Sequence, residues 1–282
     1  MEMRTFRMEK DDDGRRLDRV VRRFLPDMSL SALYKLLRKG LIRVDGKKTA
    51  PDSRVTAGSE LGIAAGILTV VPQKYAAADP VAAAGPAAVT VFSPPEILFE
   101  TADLLFVNKS AGIPVHGKGG LDGMIAQSAS SLASLSFRTG PLHRLDRDTT
   151  GIIAFSRSLD GARWFSQVLS DRGFEKYYLG IVEGTPETAA GGSTEWTDSC
   201  EDGKSMITVV RPLSNAGGLA LVLFRIVTGR KHQIRIQCSL RGHPLAGDGR
   251  YGGKGPESTF YLHAWQLLFP AERPAGRPAG LP

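Results

Sequence analysis

Between Pro72 and Ala88 the sequence is mostly alanine and proline, with few large apolar side chains. A stretch of that composition has almost nothing to bury, so the chain is expected to fold as two units joined by a flexible linker over residues 72–90. The first unit then spans residues 1–71 and the second residues 91–270. Residues 271–282, rich in Pro, Gly and Ala, read as a disordered tail. A length of 282 residues is ample for two such units.

The first unit is basic. Eleven basic residues and three acidic ones lie between Arg15 and Lys48, while the whole chain has an excess of seven basic residues. All of the net positive charge therefore falls in this short stretch, as expected of a module that binds a polyanion. Leu17, Val20, Val21, Phe24 and Leu25 recur at helical spacing, with Arg15, Arg16, Arg19, Arg22 and Arg23 on the opposite side. Pro26 ends that helix. A second is expected from a cap at Ser29 or Ser31 to Gly40, with Leu33, Leu36 and Leu37 facing one way and Lys35, Arg38 and Lys39 the other. After it, Leu41–Lys48 reads as a strand, an Asp45-Gly46 hairpin turn and the start of another strand, carrying Arg43 and Lys48. With Arg16, Lys35, Arg38 and Lys39, these make a surface on which phosphates can lie.

The stretches "RLDRVV", "SLSALYKLLRKGLIRVDGKK" and "VTAGSELGI", from Arg16 to Ile63, resemble the small RNA-binding domain named after ribosomal protein S4. Such domains read structured RNA mainly through shape and backbone charge. The remaining composition narrows the setting. Two cysteines do not make a disulfide framework, and they suit a reducing cytosol. The longest apolar run, residues 61–71, is shorter than the roughly 18 residues of a membrane span. No membrane partner is expected, and a cytoplasmic monomer is the default reading.

In the second unit, strand-like runs at Leu104–Val107, Ile152–Phe155, Tyr178–Val182, Met206–Val210 and Leu219–Val227 alternate irregularly with fewer helices, such as Leu159–Leu169. That pattern predicts an α+β fold around a mixed, largely antiparallel central sheet, preceded by the small α/β-hairpin RNA-binding domain. No phosphate-cradling glycine pattern follows a strand, and the five His and two Cys lack metal-ligand spacing, so neither cofactor nor metal is expected. Two segments carry chemistry. Pro141–Gly151 packs charged residues just before an apolar strand, with Asp146 either a functional carboxylate or a turn-capping or ion-paired one. Thr228–Arg235 follows a strand and opens a helix, with Arg235 either functional or a surface cap.

Six stretches in order resemble the RluA-type pseudouridine synthases: "DLLFVNKSAGIPVHGKGG" (103–120), "HRLDRDTTGIIAFSRS" (143–158), "KYYLGIVEG" (176–184), "VTGRKHQIRIQ" (227–237), "GHPLAGDGRYG" (242–252) and "LHAWQLLF" (262–269). Ser110 stands where that family usually has Pro, and Thr150 where Ser is common. The resemblance implies isomerisation of uridine in structured RNA, chiefly large-subunit ribosomal RNA, without cofactor. It makes Asp146 the catalytic carboxylate and Arg235 the cation that keeps it ionised. Tyr178 would lie against the uracil and help remove the C5 proton, and Arg144 would fill the space of a flipped uridine. A core role for Tyr178 and plain phosphate binding by Arg144 remain alternatives, and Lys109 and His116 are expected to hold loops or RNA. At the level of the whole chain, a transfer-RNA synthase and a non-catalytic ribosome-assembly factor are the competing readings.

Overall fold

The computed structural model describes residues 2–69, 95–128, 135, 137–171, 173–188, 192–254, 260–269 and 277–281. The expected linker, 72–90, lies outside the described residues. Two compact units emerge, Met1–Ser93 with Ala126–Thr139, and Pro94–Ile125 with Gly140–Pro282.

In the first unit, strand β1 (Met3–Arg7) precedes helices α1 (Leu17–Val21) and α2 (Leu30–Lys39) and strands β2 (Ile42–Val44) and β3 (Glu60–Ala64). The strands form an antiparallel sheet in the order β1-β3-β2. All five apolar residues of the expected first stripe are buried, although regular helix covers only its first half. Helix α2 runs as its caps dictate. Ser29 Oγ accepts from Ala32 N at 3.4 Å, and Gly40 closes the helix at φ 73°, where the stem of Lys48 crosses it. The Asp45-Gly46 turn has positive φ at both positions, as a two-residue hairpin requires. The strand expected after it shrinks to one bridge, Val44 to Lys47, because β2 pairs with β3 instead.

Residues 126–139 were expected in the second unit and group with the first. Leu135 is buried among its core side chains, and Leu135 N donates to Asp12 Oδ2 at 2.9 Å. Burying an apolar side chain and satisfying a buried carboxylate with one residue explains the grouping.

The second unit is built on β4 (Glu96–Glu100), β5 (Leu104–Lys109), helix α3 (Leu121–Ser128), β6 (Gly140–Pro141), β7 (Thr150–Ser156), helix α4 (Leu159–Ser170), β8 (Glu175–Glu183), β9 (Thr194–Ser199), β10 (Ser205–Ala216), β11 (Leu219–Ile226), helix α5 (Gln233–Leu240) and β12 (Leu262–Leu268). The sheet order is β4-β5-β7-β12-β8-β11-β10-β9, with β6 on β7. Among the described residues only β7 and β12 pair in parallel, so the sheet is mixed and largely antiparallel as expected. Gly151 makes that parallel pair possible: at φ 104° its Cα lies so close to the Ala264 backbone that a Cβ would overlap it. Helix α4 buries Trp164, Phe165 and Val168 against Leu104, Phe106 and Phe174. Leu281 packs on the same cluster, so this part of the expected disordered tail is ordered, because it buries apolar surface. Among the described residues, no helix is long and apolar enough to cross a membrane.

Candidate active site

The segment 142–149 crosses from β6 to β7 and is tied down at three points. His143 Nε2 accepts from Ala154 N at 3.0 Å, and its ring stacks on Phe165. Burial, reinforced by the Lys176 charge, pushes the imidazole pKa down to about 4, so the ring stays a neutral acceptor. Lys109, at the end of β5, is wholly buried and donates to three carbonyls, Ser110 O and Ile113 O at 2.9 Å and Arg147 O at 2.6 Å. Its pKa falls to about 8 through burial, with Asp148 and Asp146 opposing. Arg147 Nε donates to Gly112 O at 2.9 Å. The sequence expectation that Lys109 holds loops therefore acquires its partners. His116, by contrast, is exposed and lies 3.2 Å from Asp122.

The pinned loop presents Arg144 and Asp146 to solvent-filled space. Asp146 does not cap the turn, which Thr149 N closes onto the Asp146 backbone carbonyl at 3.2 Å. Its two carboxylate oxygens face separate partners on the opposite wall. Oδ1 lies 3.7 Å from His232 Nε2, and Oδ2 lies 3.9 Å from Arg235 Nη1. Side-chain exposure is 16% for Asp146, 12% for His232 and 9% for Arg235, so the contacts lie at a half-dry wall rather than in bulk water.

Arg235 departs from expectation in one respect. Asp248, and not Asp146, is its closest acid: Nε and Nη2 bond both Asp248 oxygens at 2.6 and 2.7 Å. A planar guanidinium can grip one carboxylate bidentately and still turn a third nitrogen toward another. The group lies 4.8 Å from the Tyr251 ring centre and 4.2 Å from that of Phe260. Burial opposes its charge, but Asp248 and then Asp146 outweigh it and raise the pKa. The loop before α5 is set by a buried amide. Gln233 Oε1 accepts from Thr228 Oγ1 and Arg230 N, while Nε2 donates to Ile207 O and Thr208 Oγ1.

Tyr178 stands on β8, buried, paired in register with Phe224 and Ala264. Burial and then the Asp146 charge raise its pKa, so the phenol keeps its proton. Two clefts meet at this wall. One, of about 450 Å³, is lined by Tyr178, Lys176 and residues 226–235; the other, of about 800 Å³, by residues 114–116, Gly247–Arg250 and Phe260. Arg144, Asp146, His232 and Arg235 line both. Among the described residues, no group of three His, Cys, Asp or Glu could hold a metal ion.

The residues missed in the sequence are His232, Asp248 and Lys176. All three lie inside the quoted motifs, but no local pattern marked them. Thr150 keeps the use of its hydroxyl, which lies 2.8 Å from His263 Nδ1. In the first unit, Lys35, Arg38, Lys39 and Lys48 are exposed. Arg16 instead bonds Asp18 at 3.2 and 2.8 Å, and Arg43 braces its own hairpin through Gly40 O at 2.9 Å and Gly46 O.

A carboxylate free of hydrogen-bond clamps, flanked by cation and imidazole, with a protonated tyrosine in the same cleft, has the makings of a nucleophile or general base. The unit that precedes it in the chain carries the net positive charge expected of a polyanion-binding module. Comparison with known proteins makes the class specific: residues 103–240 match the RNA pseudouridylate synthase family and residues 15–61 match the S4 domain. Similar curated proteins include ribosomal large subunit pseudouridine synthase C of Vibrio vulnificus (27% identical, 93% of this chain and 84% of that protein). The protein of the same name in Escherichia coli K12 is 29% identical over 92% of this chain and 86% of its own. Among solved structures, Human RNA Pseudouridylate Synthase Domain Containing 4 aligns with TM-score 0.53 and 25% identity over 62% of this chain and 84% of that one. The chain belongs to the RNA pseudouridylate synthase family, with an S4 domain at its N-terminal end, and is a pseudouridine synthase.

Proposed function

We propose that the protein converts uridine to pseudouridine in large-subunit ribosomal RNA in the cytoplasm, with Asp146 as the carboxylate that opens the reaction. The observation carrying this reading is the position of Asp146 where the two clefts meet, with each oxygen facing a separate partner. The similarity to the named ribosomal synthases runs through the S4 segment as well as the catalytic half, which favours ribosomal over transfer RNA.

The isomerisation breaks the bond from uracil N1 to ribose C1′ and forms one from C5 to C1′. A proton leaves C5 and one is gained at N1, so atoms and electrons balance without a co-reactant. Asp146 acts at the sugar or the base. Arg235 supplies a fixed positive charge beside it. Tyr178 offers an apolar ring face to the uracil; its raised pKa argues against a phenolate base. Extruding a base costs a few kcal/mol, and exposed Arg144, on the rim of both clefts, has the reach and planarity to replace it in the stack. Lys35, Arg38, Lys39 and Lys48 bind RNA phosphates.

Asp146→Asn keeps the shape but not the nucleophile, so tritium release from C5-labelled RNA is expected to fall by about 10³-fold or more, with RNA affinity nearly unchanged. Retained turnover would remove Asp146 from the centre of the mechanism. Mapping pseudouridine in ribosomal RNA from cells with and without the gene tests the substrate, and identical maps would refute the ribosomal assignment.

A further inference from the structure

Among the described residues only Asp45 and His232 combine a side chain with positive φ. Asp45 sits in a hairpin turn that demands this conformation. His232, at φ 55° and ψ 22°, occupies the third position of the Arg230–Gln233 turn, which Gln233 N closes onto Arg230 O at 3.3 Å; it precedes α5 and makes no capping bond from its side chain. Histidine enters the left-handed region more readily than most side chains, and residues held there cluster at functional sites. Two interactions show what the conformation achieves. Nδ1 lies 2.9 Å from the Tyr251 hydroxyl, and Nε2 points at Asp146 Oδ1 from 3.7 Å. With Tyr251 donating to Nδ1, the neutral ring carries its proton on Nε2, toward the carboxylate.

The charged groups facing the ring are Asp146, Arg235, Arg250 and Lys231. Burial and the three cations lower its pKa while Asp146 opposes them, which keeps the imidazole neutral near pH 7.

We propose that His232 is a positioning residue whose Nε2–H, oriented by Tyr251 and by the left-handed backbone, holds Asp146 Oδ1 while Arg235 holds Oδ2. The approach of Nε2 to Asp146 shortens to a hydrogen bond when substrate fills the clefts, as polar contacts in empty sites commonly do. The inference rests on Asp146 as the catalytic carboxylate, and the experiment separates the two.

Full-length wild type, Asp146→Asn, His232→Gly, His232→Gln and Tyr251→Phe are compared by single-turnover tritium release on a large-subunit ribosomal RNA transcript. Glycine accepts positive φ without a steric cost, so His232→Gly keeps the fold, which its melting curve checks. Its maximal rate is expected to drop about 10²-fold with the half-saturating RNA concentration nearly unchanged, because a misplaced carboxylate loses alignment rather than binding. His232→Gln, which restores an N–H of similar reach, recovers part of the loss. Tyr251→Phe frees Nδ1, raises the imidazole pKa and moves the acid limb of the rate–pH profile upward. A His232→Gly rate within about twofold of wild type overturns the proposal, and so does a loss confined to RNA binding. So does an unchanged profile in Tyr251→Phe. An active Asp146→Asn would instead bring down the reading of the active site itself.

Discussion

Arg235 and Asp248 are nearly dry, and each satisfies the other through two short bonds. Removing one partner from such a pair leaves an uncompensated buried charge. Asp248→Asn is therefore expected to cost about 3–5 kcal/mol of stability by denaturant titration. Because Arg235 also faces Asp146, turnover should fall in the same variant, as it should in Arg235→Met. An Arg235→Met enzyme with normal turnover at neutral pH would break the pairing. His143 gives a second prediction at this scale. Its folded pKa, about 4, lies below the ordinary histidine value of 6.5, so between those pH values the unfolded chain binds more protons. Its contribution is then fully present above pH 6.5 and lost as pH falls toward 4, at most roughly 3 kcal/mol. His143→Gln still accepts from Ala154 N but cannot titrate. The difference in stability between wild type and this variant, measured from about pH 7 down to about pH 4, should shrink or reverse on acidification.

The elements were legible in the sequence to different degrees. Helix α2 was readable from a cap at Ser29 or Ser31 to Gly40 because its caps and its stripe are local, and the structure selects Ser29. Strand β1 was not, since its mixed polar residues carry one buried side chain, Phe6, and it exists because β3 offers an edge. The role of the motif glycine Gly151 was not legible either. Its reason lies across the sheet, where β12 runs parallel to β7 with Ala264 opposite it. Gly151→Ala should drive a Cβ into that backbone and force a positive φ on alanine, destabilising the catalytic unit by at least about 2 kcal/mol in a thermal or denaturant melt. A variant as stable as wild type would show that β12 can shift away without loss.

Across the whole molecule, net charge and chemistry are divided between the two units. Neutralising Lys35, Arg38 and Lys39 together should weaken RNA binding and flatten its salt dependence, by about 0.7 to 0.9 in the log–log slope for each RNA phosphate that no longer has a protein cation beside it. Titrations at several salt concentrations, beside saturating single-turnover rates that stay unchanged, would check this. An equal slope would mean that this helix face does not touch the RNA. Deleting residues 1–72 is a blunter test than the linker suggests, because Leu135 would lose the core that buries it.

The sequence alone determined the class of each unit, the stripe of α2 and its stop at Gly40, and five strands of the large sheet, and it nominated the four side chains proposed for the site. Those depend on composition, periodicity of two or about 3.6 residues, and motifs contiguous in the chain. Which carboxylate Arg235 grips, which carbonyls Lys109 ties, and why His232 takes a left-handed turn were decided only by tertiary structure. These partners are remote in sequence: Arg235 and Asp248 are 13 residues apart, Lys109 and Arg147 are 38, and Leu135 and Asp12 are 123. Hydrogen bonds and ion pairs act over a few ångströms of space, and local periodicity says nothing about which distant residue the fold brings within that range.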